Sequence, residues 1–292
     1  MALRAVYIKE DIAMNEYIAA AGKQLAAVRA GAPLVHNITN LVVMETTANA
    51  LLALGASPIM AHAVEEMEEI LSLASALVLN IGTLSPTLVD SMRLALASAN
   101  SRCLPVVIDP VGAGVSAYRT RTVHELLAAS SDAILRGNAS EIAALARGTV
   151  TTKGVDSGLD VFAVEQDAVG IARRYGCTVC VSGPVDLVAN GEDIVAIAGG
   201  SALMTRVTGM GCTASAFCAA FAATAGKLDK ALRGPARMSA VISAMSVMSA
   251  AGGLAAAGSS GPGSFLPAFL DRVSVLSEED LKKNVTVKDC SL

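Results

Sequence analysis

Gly209-Met210-Gly211-Cys212 opens a run, Cys212 to Ala225, that is apolar and rich in alanine. Glycines on either side of one residue let an anion approach the backbone, and the first amides of a helix sit at the positive end of its dipole. The turn therefore suits a phosphate. A glycine-rich helix start with no ligand explains the same residues, and the motif alone does not separate the two. Asp109 ends the apolar run Pro105 to Ile108 and precedes Pro110. It suits either a carboxylate at a ligand-binding edge or an Asp-Pro turn. Asn138 and Glu141, in Asn138-Ala139-Ser140-Glu141, either order magnesium waters beside a phosphate or form a helix capping box. Arg136 suits a nucleotide phosphate or a surface charge, and Ser182-Gly183 a nucleotide contact or a simple turn.

Asp109, Arg136 to Asn138 and Ser182-Gly183 close short apolar runs, which from Leu34 onward alternate with longer helical stretches. That alternation predicts an α/β fold, a mostly parallel sheet flanked by helices. Strands are expected at Leu34 to His36, Pro58 to Ala61, Ala76 to Ile81, Pro105 to Asp109, Ala133 to Leu135 and Thr178 to Ser182. Helices are expected at Leu41 to Leu54, Val64 to Ala74, Thr87 to Asn100, Arg121 to Ala129, Ser140 to Ala146 and Gly158 to Tyr175. Asn190-Gly191 between Asp186 to Ala189 and Asp193 to Ala198 signals a hairpin, hence an antiparallel edge. Gly211 to about Val275 is nearly all helical, and no linker divides the chain, so residues 1–292 are expected to form one domain. Ligands of open α/β sheets bind beyond the carboxyl ends of the strands, where the polar residues named above fall.

Composition narrows the ligand class. The net charge is −4 and aromatics are 3%, so neither a basic footprint nor stacking platforms for nucleic acid are present. The hydrophobic share of 53% against 16% charged residues suggests buried contacts between subunits. His36, His62 and His124 fall in no zinc spacing. Cys177 and Cys180 form a lone C-x-x-C on a strand, where positions three apart face opposite ways, so both are expected in the core. Met238 to Ala257 carries no charge over 20 residues, but its alanine, serine and glycine content favours a buried helix over a membrane span. Met1 to Tyr17 lacks the apolar core of a secretory signal, and a cytoplasmic location is expected. Neither Gly22-Lys23 nor Gly226-Lys227 is followed by Ser or Thr, which excludes a Walker A loop. The G-x-G turns lack the downstream acid of a nicotinamide site, the main competing enzyme class.

Six segments taken in order carry more information than any one. Pro33 to Asn40 (PLVHNITN), Gly55 to Met60 (GASPIM), Asn80 to Leu84 (NIGTL), Asp109 to Gly112 (DPVG), Arg136 to Glu141 (RGNASE) and Gly261 to Phe265 (GPGSF) together resemble the hydroxyethylthiazole kinase family from about Pro33 to Leu276. The resemblance implies a ribokinase-like fold and a homotrimer with active sites between subunits. It also implies transfer of the ATP γ-phosphate to the hydroxyl of 4-methyl-5-(2-hydroxyethyl)thiazole, a step of thiamine salvage. On the family pattern Met60 and Gly209 contact the thiazole, with Asn40, Val42, Gly82 and Thr83 nearby. Arg136 and Ser182 contact ATP beside Asn138, and Asp109 and Glu141 serve magnesium (Mg2+) and the phosphates. Gly209, Gly211 and Cys212 would form the phosphoryl-transfer turn. Two positions depart from the common pattern. Ser182 stands where threonine is common, which keeps the hydroxyl. Met210 stands where threonine or alanine is common, and it either crowds the phosphate or points away. A helix start can also lower a thiol pKa, which would make Cys212 partly thiolate. A catalytically silent binder and a kinase for another small alcohol are the alternatives.

Overall fold

The computed structural model describes residues 11–148, 160–224 and 230–290. The leader reading rests partly on residues 1–10, and the first two residues of the Gly158 to Tyr175 stretch also lie outside the described residues.

Among the described residues nine strands form one sheet. They are β1 (Leu34–Ile38), β2 (Ser57–Ile59), β3 (Ala76–Asn80), β4 (Val106–Asp109), β5 (Ala133–Asn138), β6 (Thr178–Ser182), β7 (Val185–Ala189), β8 (Ile194–Ala198) and β9 (Thr286–Asp289). Their spatial order is β2-β1-β3-β4-β5-β6-β7-β8-β9. Neighbours pair in parallel from β2 to β6 and antiparallel from β6 to β9. β3 to β5 are apolar almost throughout because helices cover both faces of the parallel part. Parallel register also brings the carboxyl ends of β1, β3, β4, β5 and β6 to one edge, with Asn80 opposite Asp109 and Asn138 opposite Ser182.

The helices are α1 (Asp11–Gly31), α2 (Met44–Leu54), α3 (Met67–Leu73), α4 (Pro86–Ser101), α5 (Ala117–Ala129), α6 (Ala139–Arg147), α7 (Glu165–Tyr175), α8 (Met210–Thr224), α9 (Lys230–Ala257), α10 (Pro262–Val275) and α11 (Glu278–Asn284). One apolar core lies where α1, α2, α8, α9 and α10 meet one face of the sheet, and α3 to α7 bury a second core on the other. Cys180 joins the first core and Cys177 the second, so the C-x-x-C does straddle the sheet. α9 contains the stretch long and apolar enough to cross a bilayer, but 78% of it is buried within the fold. Its composition is that of a core helix. Within α9 Arg237, 2% exposed, pairs with Asp132 at 2.8 Å and also donates to the Ala222 carbonyl near the end of α8 at 2.8 Å.

Several boundaries differ from expectation for identifiable reasons. α2 begins at Met44 rather than Leu41 because Asn40 Oδ1 accepts from Val42 N at 3.2 Å, turning the chain before the helix. β1 and β5 run two and three residues longer than predicted, since Asn37 and Arg136 stay in the ladder despite their polarity. The helix expected from Gly158 begins with a 3-10 turn at Val161–Val164 and becomes α-helical at Glu165. Local sequence did not signal α1, α11 or β9, which completes the antiparallel edge.

Candidate active site

The shared edge of the sheet collects a continuous polar network. Asn80, at the end of β3, donates to Asp109 Oδ2 at 3.0 Å and accepts at Oδ1 from Asn40 Nδ2 and Gly82 N, both at 2.9 Å. Ser215 Oγ donates to the same Asp109 oxygen at 2.8 Å, and Asn40 Nδ2 also donates to Cys212 Sγ at 3.4 Å. Cys212 and Ser215 lie three residues apart and so share one face of α8. The helix is thereby keyed to β1, β3 and β4 by side chains that face the site. Thr83 Oγ1 accepts from Leu41 N at 3.1 Å, fixing the turn that carries Val42. Burial pushes the Asp109 carboxyl above its ordinary range, and Arg136, Ser215 and Asn80 pull it partly back.

Gly209 precedes α8 at φ 90°, a left-handed conformation that favours glycine, and its carbonyl accepts the first helical bond from Thr213 N at 2.8 Å. The following amides, at the start of α8, lack partners within the helix and are available to a ligand. Met210 is 6% exposed and belongs to the apolar core, so it points away from the turn and does not crowd it. Gly211 leaves space for Arg136, since a Cβ there would stand 2.8 Å from Nη1. Arg136 is not a surface charge. It is buried, its Nη2 donates to Ser182 Oγ, and its Nε is without a partner among the described residues. Asp109, Glu141 and Asp186 supply the negative field around it. Arg136 is the buried cation beside the α8 amides, an arrangement suited to phosphate oxygens.

Glu141 carries the capping box. Asn138 Oδ1 accepts from Glu141 N at 2.9 Å, and Glu141 Oε2 accepts from Asn138 N at 2.8 Å. Its other oxygen, Oε1, accepts from Gly112 N at 2.8 Å and ties α6 to the loop after β4. Burial, reinforced by the Asp109 charge, pushes Glu141 up to about 7. Asp186 rises to about 6, chiefly through burial. Both acids keep protons in the folded protein that the unfolded chain has already released, so each ionisation lowers stability as pH rises. For Glu141 this amounts to about 3 kcal/mol across the window from about pH 4.5 to about pH 7. Glu141→Gln cannot ionise but loses an acceptor for a backbone N–H. Its denaturation midpoint is expected below the parent's near about pH 5, with the gap narrowing by about pH 8. A gap that stays constant or widens would contradict this assignment.

Burial pushes the Asp109 and Glu141 carboxyls up, and the Asp109 charge pushes Glu141 further; a divalent cation beside them would favour their ionised forms. Asp109 and Glu141 fit magnesium, which keeps most of its waters and needs only one or two carboxylates beside nucleotide phosphates. Among the described residues no group of three or more His, Cys, Asp or Glu forms a protein cage for a metal.

The thiolate that a helix start could favour at Cys212 is not supported. Burial and the Asp109 charge push Cys212 up to about 12, overriding any lowering at the helix start, so its thiol remains protonated at neutral pH. Met60 stands apart from the hydrogen-bonded network, and Val42 joins it only through its backbone N–H, which donates to Asn40 Oδ1. Met60 follows edge strand β2, and Val42 is 65% exposed beside Leu41 at 70%. Three contributors carried no assigned role in the sequence. Asn80 was visible as a polar strand end, and Ser215 could have been found from its helical spacing to Cys212. Arg119 gave no signal, yet it donates to the carbonyls of Ile81, Val111 and Gly82 at 2.6, 2.7 and 2.7 Å, stapling two loops of the site.

Comparison with known proteins bears on this geometry. Residues 25–279 match the model of the hydroxyethylthiazole kinase family. A hydroxyethylthiazole kinase from Nitratidesulfovibrio vulgaris (strain DSM 19637 / Miyazaki F) is 52% identical over 265 residues, covering 91% of this chain and 96% of its own. One from Syntrophus aciditrophicus is 51% identical over 266 residues, covering 89% and 94%. The structure of the hydroxyethylthiazole kinase protein from Pyrococcus horikoshii OT3 superposes with a TM-score of 0.81 at 39% identity, covering 92% of this chain and 98% of that one. A Staphylococcus aureus pyridoxal kinase in complex with AMP-PCP and pyridoxal has a TM-score of 0.61 at 13% identity, covering 89% and 99%, which shows a shared fold.

Proposed function

The chain belongs to the hydroxyethylthiazole kinase family, and from that premise we propose that it transfers the γ-phosphate of ATP to the hydroxyl of 4-methyl-5-(2-hydroxyethyl)thiazole in thiamine salvage. The observation that carries this reading is the buried Arg136 guanidinium set against the glycine-lined start of α8, with Asp109 beside it. The chain serves as one ribokinase-like kinase domain in the cytoplasm.

Phosphoryl transfer through a loose transition state asks mainly for positioning and charge stabilisation. The α8 amides and Arg136 hold the transferring group, Ser182 fixes the guanidinium, and Asn138 borders the nucleotide. Asp109 and Glu141 would hold magnesium, which when bound offsets charge developing on the phosphate oxygens. Gly82 and Thr83 shape the alcohol side with Asn40, and Met60, Val42 and Gly209 line the thiazole. The exposed Leu41 and Val42 support a homotrimer in which a neighbouring subunit completes each site.

Cys212 orients the alcohol as a neutral thiol. A positioned general base contributes about 10²–10⁴ in rate, so Cys212→Ser is expected to lower kcat less than about tenfold. Abolished turnover with unchanged thiazole affinity would assign the cysteine proton transfer instead. The function itself is tested by ATP consumption with thiazole, pyrimidine and pyridoxine alcohols, with and without magnesium. A preference for the thiazole alcohol that requires magnesium is expected. Indifference among the alcohols, or no turnover, would remove the assignment, and full activity in a monomer would remove the shared site.

A further inference from the structure

The segment 60–63, directly after edge strand β2, carries no regular backbone structure, although it begins with Met60. β2 is three residues long and pairs only with β1, so the ladder alone holds this segment weakly. Two buried side chains from other elements grip it. His36 of β1, 0% exposed, meets the Ala61 carbonyl through Nε2 at 2.8 Å. Ser91 of α4, 1% exposed, donates to the His62 carbonyl at 2.7 Å while also reaching the Thr87 carbonyl of its own helix at 3.2 Å.

The chemistry of the histidine is defined by its partner. A carbonyl only accepts, so the ring proton lies on Nε2. Nδ1 is buried and without a partner among the described residues. Burying a polar ring in this way costs free energy that an apolar side chain at the same position would avoid. The bond to Ala61 offsets part of that cost and gives the ring a purpose, because with Ser91 it fixes successive carbonyls immediately beyond Met60. The backbone of a loop held at adjacent carbonyls from two different elements has little room to shift.

We propose that His36 and Ser91 are positioning residues for thiazole recognition, clamping the Ala61 and His62 carbonyls so that Met60 is presented in one place. This rests on the reading of Met60 as a wall of the thiazole pocket. Neither residue touches substrate or the reacting atoms, and the ATP side of the site lies across the sheet edge on β5, β6 and α8.

Steady-state kinetics on the full chain separate the possibilities. His36→Leu and Ser91→Ala each remove one grip, and each is expected to raise KM for the thiazole alcohol about tenfold, with KM for ATP held within about twofold. His36→Gln can still present an N–H to Ala61 and is expected to restore most of the loss. Ser91→Ala carries the test if His36→Leu fails to fold. Met60→Ala serves as the reference. If it raises the thiazole KM while Ser91→Ala and His36→Leu do not, the clamp is overturned and the pocket stands. Equal rises in both KM values also overturn the clamp, because they report general loosening. If Met60→Ala itself changes nothing, the pocket reading fails and the clamp fails with it.

Discussion

Gly211→Ala is expected to lower kcat/KM by about 10²–10³, with a loss of stability too small to account for it. The two effects separate because Gly211 lies within α8 at an ordinary helical conformation, where alanine is the better helix former by about 1 kcal/mol. The added methyl, however, would stand 2.8 Å from Arg136 Nη1 and 3.5 Å from Nη2. The backbone on either side is fixed by the helix, so the guanidinium must move. Arg136 is buried and bonded to Ser182, and it has few alternative positions. A displacement of about 1 Å in a charge-stabilising group costs on the order of 10²-fold in rate. Kinetics paired with a thermal melt provide the check. A variant that is destabilised in proportion to its lost activity, or that keeps full activity, would show that Arg136 does not act at the α8 turn.

Asp109→Asn is expected to lower kcat by about 10²–10³ at saturating magnesium, without loss of fold. Asparagine keeps the shape of the side chain and an oxygen able to accept from Asn80 and Ser215, so the polar network survives. Only the charge is removed. Arg136 still has Glu141 and Asp186 nearby, so it does not become an uncompensated buried charge. The ionised carboxylate is itself penalised by burial, and its loss should cost little stability. A magnesium titration of turnover, with nucleotide binding measured separately, distinguishes charge from geometry. Retention of activity within about tenfold would remove Asp109 from the phosphate and metal region.

The parallel part of the fold was legible because its signal is local. Apolar runs of strand length end in polar residues, and parallel pairing then places those ends together. Arg136 was legible as the residue just after a strand but not as a member of it, and His36 was legible as the last residue of its strand but not as the start of a longer one. Their polarity argued against continuation, and the partners that offset it, Ser182 and the Ala61 carbonyl, lie far along the chain. β9 was missed for a similar reason. A four-residue strand with exposed residues at 286 and 288 carries little pattern of its own and is defined by pairing with β8. Within the site, the glycine turn and the carboxylates could be named from type and spacing. The direction of Met210, into the core, and the protonation of Cys212 depend on what surrounds them, which local sequence does not state.

The pair between Arg237 of α9 and Asp132 bears on how this protein can change over generations. Each partner is almost fully buried, and Arg237 also caps the end of α8 through Ala222. Losing either side chain alone strands the opposite charge, at a cost of about 3–5 kcal/mol, whereas exchanging both for apolar residues of similar volume can be neutral. A lineage moving one substitution at a time must therefore cross a poorly folded intermediate to reach an equally stable alternative. Positions 132 and 237 are accordingly locked to each other by epistasis, and drift at either one is admissible only where stability gained elsewhere has made the crossing survivable.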